Sequence, residues 1–485
     1  MIPSRLPEKK TKIVCTIGPA SQDKEVLQQM IAAGMNVARI NFAHGDLDSH
    51  RTTIANVRAA AEAAQQRVAI FGDLPGPKMR IGSLAEEPIF LERGDPFILQ
   101  TDECVGDHTR ASLDFPGLPH VVKPGDQIYM NDGYVQLQVE EVRGNEVHTT
   151  VAAGGELRSH KGVNFPGIDL GISAFTEEDR ELLAFAAEQR LDAVSQSFVR
   201  GPEDILAVRE AARALGYEPF IIAKIERAAA LDHMDAIMEA TDAIMVARGD
   251  LGVEIPIEEI PGVQKAMIRQ ANLWAKPVIT ATQMLESMTD NPRPTRAEAT
   301  DVANAILDGT DCVMLSGETA VGAHPVETVA VMARIARQTE ETLPRFTIAE
   351  QLERQHEAGE IRFDDLMSLT VYEAAETLQP VVVFAPSRSG STARRVTRFR
   401  LDPWIVAPSQ TETTCQRLQL SFGVYPVHVS EEGILSEPYL RDSVEVFFDL
   451  SRVGGDMPDD ATQAANWLSM SASREINWVL TPMPR

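Results

Sequence analysis

The sequence predicts an α/β protein built on a (β/α)8 TIM barrel, and three observations support this. Short apolar runs rich in β-branched residues alternate with stretches of helical periodicity, as buried parallel strands and their crossover helices do. The runs of this kind before residue 345 number about eight, the strand count of such a barrel. Polar residues follow nearly every run, and in this fold the carboxyl ends of the strands carry the ligand-binding residues.

The strand runs are bounded by turn and helix signals that fit this alternation. The predicted strands are Lys12–Gly18, Asn36–Asn41, Val68–Asp73, Ala193–Ser197, Phe220–Ile225, Ala243–Ala247, Pro277–Ala281 and Cys312–Leu315. Helical spacing covers Ser21–Ala33 and Leu47–Gln65, and the last barrel helix is predicted near Pro325–Glu341. Thr176 and Asp179 form a capping-box pattern that opens a helix reaching Gln189.

The alternation breaks once and then changes character near the end. From Ile81 to about Gly171 short alternating runs separated by Gly and Pro replace the helical period, which predicts a β-rich lid domain inserted after the third strand. Glu350–Asp365 has the composition of a polar linker, and a smaller α/β domain is expected beyond it. We therefore expect barrel at 1–75, inserted lid at 76–171, barrel again at 172–345 and a C-terminal α/β domain at 346–485.

The charge of the chain excludes some partners. Its 485 residues carry a formal net charge of −26, and such a surface repels nucleic acid. The four cysteines, at positions 15, 104, 312 and 415, have neither metal-ligand nor redox spacing, which is typical of reduced thiols in the cytoplasm. No apolar run approaches membrane-spanning length, and the N-terminus lacks an apolar signal core. An anionic substrate would need a local basic pocket.

The stretch Phe220–Glu254 presents charge at the ends of two buried strands. Lys224 and Glu226 are two residues apart, so on a strand they point to the same side. Asp250 follows the next strand, and two carboxylates of this kind suit Mg2+, which takes its other ligands from water and substrate phosphate. Lys224 would then stabilise phosphoryl or enolate oxygens. The alternative is a structural ion pair beside a solvated carboxylate.

Many long motifs, in one order, resemble the pyruvate kinase family. They are Lys12–Ser21, Gly34–Gly45, Gly76–Arg80, Lys161–Asn164, Lys224–Glu226, Met245–Glu254, Ala281–Met288, Arg293–Glu298 and Met314–Thr319. The resemblance covers the barrel and the insertion closely and the last domain more loosely. It implies transfer of the phosphoryl group of phosphoenolpyruvate to ADP, giving pyruvate and ATP.

The resemblance also implies roles for individual residues. Lys224 matches the lysine at the transferring phosphoryl group, and Arg39 the arginine that grips the phosphate. Glu226 and Asp250 match the Mg2+ ligands, and Thr282 matches a threonine near the site of enolate protonation. Backbone N–H groups at Gly249 and Asp250 would bind the substrate carboxylate. The nucleotide phosphates are expected at Asn41, His44, Arg80 and Lys161, beneath a lid that closes to exclude water.

The chain departs from the family at its potassium site. Asn41 and Asp73 remain as a residual monovalent-cation site, but Ala43 replaces a serine hydroxyl, and Lys78 stands where the family often carries glutamate. An ammonium at position 78 would supply the positive charge that K+ otherwise brings. We expect an enzyme that needs Mg2+ but not K+. The alternative is that Lys78 lies on a solvated loop without such a role.

A second departure concerns regulation. The segment Ser387-Arg388-Ser389-Gly390-Ser391-Thr392 resembles the family's phosphate-binding effector loop, although a simple turn and helix cap would account for it as well. The chain after Gly455 lacks the glycine-rich loop of regulated members, so we do not expect activation by fructose bisphosphate. Another phosphorylated effector, or none, fits the sequence. A homotetramer is expected by analogy alone.

Two alternative functions were weighed. One is a metal-dependent lyase or aldolase working through a pyruvate enolate, but it would have no need for the nucleotide clamp at Arg80 and Lys161. The other is a non-catalytic phosphometabolite sensor, but such a protein would not need the catalytic residues that are intact here: Lys224, Glu226, Asp250 and Thr282.

Overall fold

The structure is a computed structural model that describes residues 6–131, 133–343, 348–429 and 479–482. The expectation about the tail after Gly455 falls largely on residues outside this described part.

The strands and helices follow one another in a regular order along the chain. The strands are β1 Lys12–Ile17, β2 Val37–Asn41, β3 Ala69–Leu74, β4 Ile89–Leu91, β5 Pro96–Gln100, β6 Arg110–Ser112, β7 Gln127–Met130, β8 Val135–Arg143, β9 Glu146–Ala153, β10 Gly155–Leu157, β11 Val163–Asn164, β12 Ala193–Gln196, β13 Phe220–Ile225, β14 Ala243–Ala247, β15 Val278–Ala281, β16 Cys312–Leu315, β17 Pro380–Phe384, β18 Trp404–Ser409, β19 Val424–His428 and β20 Val479–Pro482. The helices are α1 Lys24–Ala33, α2 Leu47–Ala63, α3 Leu118–Val121, α4 Glu177–Glu188, α5 Pro202–Ala214, α6 Ala228–Leu231, α7 Met234–Ala240, α8 Arg248–Glu254, α9 Ile260–Leu273, α10 Arg296–Leu307, α11 Gly317–Ala320, α12 Pro325–Glu340, α13 Ile348–Glu357, α14 Phe363–Leu378, α15 Ser391–Thr397 and α16 Glu412–Arg417.

Eight parallel strands close into a barrel, which confirms the predicted fold class. Their order around the barrel is β1-β16-β15-β14-β13-β12-β3-β2. Each predicted barrel strand is present within one residue of its expected ends, because a run of apolar β-branched residues buried on both faces has few other ways to pair its backbone. All strands being parallel, their carboxyl ends lie at one end of the barrel.

The insertion between β3 and α4 contains a six-stranded sheet of order β11-β7-β8-β9-β5-β6 and a two-stranded sheet of β10 and β4. Its core is separate from that of the barrel and includes Phe97, Leu99, Ile128 and Leu137. The insertion therefore packs as a module of its own, reached from the barrel through the segments before β4 and after β11.

The C-terminal part is an α/β layer of β19-β18-β17-β20, with β20 antiparallel to β17. One expectation here was wrong: the segment predicted as a polar linker, Glu350–Asp365, is mostly helical, because α13 runs to Glu357. Its sequence is polar on the outside, but Ile348, Ala349 and Leu352 are buried against the C-terminal core. These few apolar residues in a mostly charged segment did not indicate a helix in the sequence.

The interior of the barrel is filled by side chains from alternate positions of its strands. It includes Val14, Phe71, Ile222 and Met245, and it is completed by Leu420 from the C-terminal domain. The Cys312 thiol donates to the Leu420 carbonyl oxygen at 3.4 Å. The C-terminal domain therefore covers the amino-terminal end of the barrel, which leaves the carboxyl end open to ligands.

Candidate active site

Two neighbouring strands deliver the charged residues of the site. β13 ends at Ile225, so Lys224 is its last residue but one and Glu226 follows the strand directly. β14 pairs with β13 and ends at Ala247, where α8 begins and carries Gly249 and Asp250. Lys224 and Glu226 thus reach the same end of the barrel as Asp250.

Lys224 is the centre of a dense network of polar contacts. Its Nζ lies 2.8 Å from Glu226 Oε1 and 3.3 Å from Asp73 Oδ1, and it donates to Ser197 Oγ at 2.7 Å. The second oxygen of Glu226 accepts the Phe198 N–H at 2.7 Å. The ammonium is therefore held between two carboxylates from different strands, while Glu226, 1% exposed, is fixed from two sides.

Burial and these charges shift the pKa values of the network in opposite directions. Burial alone would lower the pKa of Lys224, but the charges of Asp73 and Glu226 outweigh it and raise the pKa above its usual value. Burial raises the pKa of Glu226, the Lys224 charge opposes this, and the Asp250 charge raises it further. Lys224 is therefore a permanent cation, and the two acidic groups repel each other.

Arg39, in the middle of β2, is held by a second set of contacts in this network. Its Nε donates to Asp73 Oδ2 at 2.8 Å, and its Nη1 donates to Thr16 Oγ1 at 2.9 Å. Burial would raise the pKa of Asp73, but Lys224, Arg39 and the Ser195 hydroxyl together lower it to about 2. Asp73 is thus ionised at neutral pH and orients both cations.

Thr282 lies beside the start of α8, in an unusual backbone conformation. Its φ is +68°, in the left-handed region that a β-branched residue rarely adopts. Its hydroxyl accepts the Gly249 N–H at 2.8 Å and donates to the Ala281 carbonyl at 2.6 Å. Thr282 does not act as a helix N-cap, because it follows β15 and the next short helical turn, Glu286–Thr289, begins after Leu285. The Gly249 N–H, expected to be free for a carboxylate, is donated to Thr282 here.

The acidic residues at this end of the barrel fit a hard divalent cation that takes its remaining ligands from water and phosphate. Among the described residues, no group of three or more His, Cys, Asp or Glu side chains is placed to hold a metal. Two carboxylates, Glu226 and Asp250, are nevertheless close enough to raise the pKa of Glu226 by repulsion. Such a pair matches Mg2+, which commonly uses one or two carboxylates and keeps water and phosphate oxygens as further ligands.

Three basic side chains act electrostatically on His44. Burial lowers the pKa of His44, and the charges of Lys78, Arg80 and Arg39 lower it further, so these cations surround it. The Arg80 backbone bridges to Gly162, and its Nη1 donates to the His160 carbonyl at 3.0 Å. The Lys161 carbonyl accepts the Ile81 N–H at 3.1 Å. The local basic pocket that an anionic substrate requires is therefore present despite the acidic chain.

The cleft between barrel and insertion measures about 420 Å3, its open mouth included. The barrel lines it with Phe198, Arg227 and Asp250, and the insertion lines it with Lys78 and the segment 162–165. Asp250 of the predicted metal pair is part of this lining, whereas the residues predicted for the nucleotide lie outside it: Asn41, His44, Arg80 and Lys161. Asn41 ends β2, and its Oδ1 accepts the Ala43 N–H at 3.3 Å.

The segment 387–392 lies far along the chain, at the start of α15 in the C-terminal domain. Its hydroxyls are used locally: Ser387 Oγ accepts the Gly390 N–H at 2.8 Å, and Ser389 Oγ accepts the Ser391 N–H at 3.4 Å. These contacts match the turn that was weighed as an alternative to an effector loop.

Three residues of the site were not predicted. Ser195 donates to Asp73 Oδ1 at 2.6 Å. The sequence feature that could have indicated this residue is a polar serine within an otherwise apolar strand. Arg227 Nε lies 3.5 Å from Glu254 Oε1 and lines the cleft. Arg248 donates from Nε to the Ala281 carbonyl at 3.1 Å and from Nη2 to the Thr282 carbonyl at 2.6 Å. The contacts of Arg248 join elements far apart in the chain, so no spacing rule could reveal them.

No helix in the described ranges is long and apolar enough to cross a membrane.

Comparison with known proteins agrees with the architecture. Residues 8–329 match the family model of the pyruvate kinase barrel domain, and residues 365–453 match that of the pyruvate kinase alpha/beta domain.

Curated relatives align over most of both chains. A pyruvate kinase of Thermococcus litoralis is 48% identical over 88% of this chain and 90% of its own length. Those of Clostridium acetobutylicum and Thermotoga maritima are 43% and 42% identical, over 88% and 86% of this chain and 90% and 88% of their own lengths. The matches are to kinases, not to the lyase, aldolase or sensor that were weighed as alternatives. The chain belongs to the pyruvate kinase family, whose enzymes use a divalent metal, and its function is the glycolytic transfer of the phosphoryl group of phosphoenolpyruvate to ADP.

Proposed function

We propose that the network around Lys224 is where the phosphoryl group is transferred. The observation that carries this proposal is the position of the Lys224 ammonium, between Glu226 at 2.8 Å and Asp73 at 3.3 Å, at the open end of the barrel. A buried, permanently charged donor can stabilise charge on the migrating group without reorganising. Catalysis of phosphoryl transfer is mostly positioning and charge neutralisation of this kind.

The reaction divides into two steps. A β-phosphate oxygen of ADP bonds to phosphorus while the bond from phosphorus to the enol oxygen breaks, which gives ATP and the enolate of pyruvate. The enolate then takes a proton at its methylene carbon. Lys224 and Arg39 contact the phosphoryl oxygens in the first step, and Thr282 lies beside the carbon that is protonated in the second.

Glu226 and Asp250 would hold Mg2+. The ion, when bound, neutralises negative charge on substrate oxygens and so lowers the barrier to releasing an enolate. The raised pKa of Glu226 supports this assignment, since two carboxylates that repel each other favour a cation between them.

Substrate and nucleotide would be held by different groups of residues. N–H groups at Gly249 and Asp250 bind the substrate carboxylate, which requires Thr282 to release the Gly249 N–H. Asn41, His44, Arg80 and Lys161 bind the nucleotide phosphates. Because Arg80 and Lys161 belong to the insertion, its closure would bring them onto the nucleotide and exclude water.

Replacing Lys224 tests the assignment. In an assay that couples pyruvate to its reduction, we expect Lys224→Met to lower kcat by about 10^3-fold or more, as loss of a transition-state donor does. Mg2+ binding, measured by titration calorimetry, should remain close to that of the parent enzyme. Lys123→Met, an exposed lysine of the insertion, is the matched control. A variant at position 224 with more than a tenth of the parent kcat would contradict the assignment. Pyruvate released from phosphoenolpyruvate without ADP would instead argue against phosphoryl transfer itself.

We further propose that the enzyme does not require K+. Ala43 offers no side-chain oxygen, and Asp73, a candidate ligand with Asn41, is already ion-paired to Arg39 and Lys224. Lys78 lines the active-site cleft and lowers the pKa of His44 by its charge, which supports a role for its ammonium near the phosphates.

The requirement for K+ can be measured directly. With tetramethylammonium as the sole monovalent cation, we expect full activity and no saturable rise on adding K+. The variant Lys78→Glu should lose activity in tetramethylammonium and regain a large part of it in K+. A saturable activation of the parent enzyme by K+ would refute the proposal.

Regulation and assembly are also proposals. The segment 387–392 is a candidate site for a phosphorylated effector, although its hydroxyls already serve a turn. Titration calorimetry with fructose bisphosphate, other sugar phosphates and nucleotides tests it, and tight binding of fructose bisphosphate would show that our expectation for the tail is wrong. By analogy with the family we propose a cytoplasmic homotetramer, to be checked by light scattering after size exclusion and by cell fractionation.

A further inference from the structure

A small cavity lies at the opposite end of the barrel from the active site, in the seam between barrel and C-terminal domain. The barrel side contributes the residues that precede β15 and β16, and the C-terminal side contributes α15, the residues after it and Ser421. The cavity has room for one object about the size of a water molecule. Its lining residues include Lys276, Asp311, Arg394, Arg398 and Arg400.

The lining carries more positive than negative charge. Arg398 pairs with Asp365, and Arg400 pairs with Asp311 at 3.1 Å. Within the described part of the chain, Arg394 and Lys276 have no carboxylate within 4.0 Å; Lys276 donates to the Thr241 carbonyl instead. Burial lowers the pKa of Arg394 to about 10, and the charge of Asp242, which also acts on Lys276 from beyond 4.0 Å, opposes this only in part, so Arg394 remains charged at neutral pH. Buried charge of one sign is unfavourable unless a counter-charge lies nearby.

The one carboxylate in the lining has no capacity left. Asp311 Oδ1 accepts from Arg400 Nη1 at 3.1 Å and from the Phe422 N–H at 2.9 Å. Its Oδ2 accepts from Arg400 Nη2 and from the Val278 N–H, both at 3.1 Å. Four accepted hydrogen bonds saturate a carboxylate. Asp311 therefore neither balances the remaining cations nor offers an acceptor to a molecule in the cavity.

Several lining residues have buried polar atoms without a hydrogen-bond partner among the described residues. They are Arg394 Nη1, Arg398 Nε, Arg400 Nε and Ser421 Oγ. Arg398, Arg400 and Ser421 are 1%, 7% and 0% exposed. The arginine nitrogens can only donate, and the serine hydroxyl can donate as well. A water molecule would accept about two such bonds and would need acceptors for its own hydrogens, whereas a monatomic anion can accept from every donor.

We propose that this seam cavity binds a small monatomic anion, chloride in the cell. The ion would satisfy the donors of Arg398, Arg400 and Ser421 and offset the charge of Arg394 and Lys276. It would thereby fasten the C-terminal domain to the amino-terminal end of the barrel. Arg394 Nη2 also donates to the Ser389 carbonyl at 3.0 Å, so occupancy of the cavity is linked to the segment 387–392.

Thermal unfolding of the full-length protein tests the proposal. Sodium chloride is exchanged stepwise for sodium gluconate at constant ionic strength, so that screening stays the same. We expect Tm to rise saturably with chloride, by about 1–2 °C at tenfold the dissociation constant. Bromide should replace chloride, and anomalous diffraction from a bromide-soaked crystal should give a peak between Arg398 and Ser421.

Two variants separate binding at this cavity from a general salt effect. Ser421→Ala removes one donor with little change in volume, and Arg394→Met removes a charge; each should reduce the chloride-dependent rise in Tm by at least half. Ser112→Ala, a buried serine of the insertion, should keep the full rise. The proposal is overturned if Tm is the same in chloride and gluconate, if both variants respond as the parent does, or if the cavity contains water and no bromide.

Discussion

At the scale of single residues, Arg248 shows how the site depends on a group that need not touch the substrate. Its guanidinium donates to the carbonyls of Ala281 and Thr282, and it is held by Asp301 at 2.7 Å. These bonds keep Thr282 at a φ of +68°, which costs of order 1–3 kcal/mol when nothing compensates. Arg248 is therefore a positioning residue for the threonine.

Arg248→Met should let the backbone at Thr282 relax and move its hydroxyl away from the position that we propose for the reacting carbon. We expect kcat to fall by about 10–100-fold, because misplacement by about 1 Å has effects of this size. The KM for ADP should change little, since Arg248 contacts residues other than those proposed to bind the nucleotide. Steady-state kinetics measure both, and Arg269→Met, an exposed arginine of α9, is the control. A kcat within twofold of the parent value would contradict the role.

A second prediction at this scale concerns pH. Burial raises the pKa of Asp192 to about 6, although the Ile70 N–H and nearby arginines oppose the rise. The folded state then binds more protons than the unfolded state between about pH 4 and pH 6, so the contribution of Asp192 to stability decreases as pH rises through this window.

The variant Asp192→Asn cannot ionise and should escape this loss. We expect its Tm, relative to the parent protein, to increase from pH 4.5 to pH 7.5, with a free-energy change of roughly 1–3 kcal/mol. Calorimetry at both pH values gives the comparison. A difference in Tm that is independent of pH would show that the carboxyl titrates normally.

At the scale of secondary-structure elements, the capping box that opens α4 has a second function. Thr176 Oγ1 accepts the Asp179 N–H at 3.0 Å, as the sequence pattern predicts. Asp179 Oδ1 also accepts the Gly76 N–H at 3.0 Å, in the segment that leads into the insertion. The cap therefore fixes the start of a helix and one connection of the inserted module together.

Thr176→Ala should destabilise the protein by about 1 kcal/mol, because one N-terminal N–H loses its acceptor. A fall in Tm during thermal unfolding measures this. Thr300→Ala, an exposed threonine inside α10, removes a hydroxyl without removing a cap and should have a smaller effect. Equal effects of the two substitutions would mean that the capping interaction contributes nothing.

At the scale of the whole molecule, the C-terminal domain is joined to the barrel by a buried ion pair. Arg400 reaches from the end of α15 to Asp311, which precedes β16, and both side chains are almost fully buried. Removal of one member of such a pair leaves an uncompensated charge and typically costs about 3–5 kcal/mol.

Arg400→Met should therefore lower stability by an amount in that range, measured by calorimetry of the full chain. The double variant Arg400→Met/Asp311→Leu should regain part of the loss, because it leaves no isolated charge. Complete recovery is not expected, since Asp311 also accepts N–H groups of Val278 and Phe422. A double variant as unstable as the sum of two single losses would rule out coupling between these side chains.

The barrel and the places of its polar residues along the chain could be predicted from the amino-acid sequence. Buried parallel strands need continuous apolar runs, and such runs identify strands β13 and β14 in the sequence. The charged residues Lys224, Glu226 and Asp250 stand at the ends of these runs, where a barrel carries its ligand-binding residues. These are local properties, so they can be read from neighbouring residues. Helix α13 was not predicted, because its few apolar residues stabilise a helix only when they pack against the C-terminal core, and the sequence does not show that contact.

The contacts and electrostatic interactions between those residues, by contrast, depend on how the strands are arranged in three dimensions. Asp73 and Lys224 are 151 positions apart, yet they meet because β3 and β13 both lie beside β12 in the closed barrel. The pKa values of Asp73 and Glu226, the backbone of Thr282 and the cationic cavity at Arg398 depend on distances between such elements. Electrostatic energy and burial are functions of separation in space, which spacing along a chain does not specify.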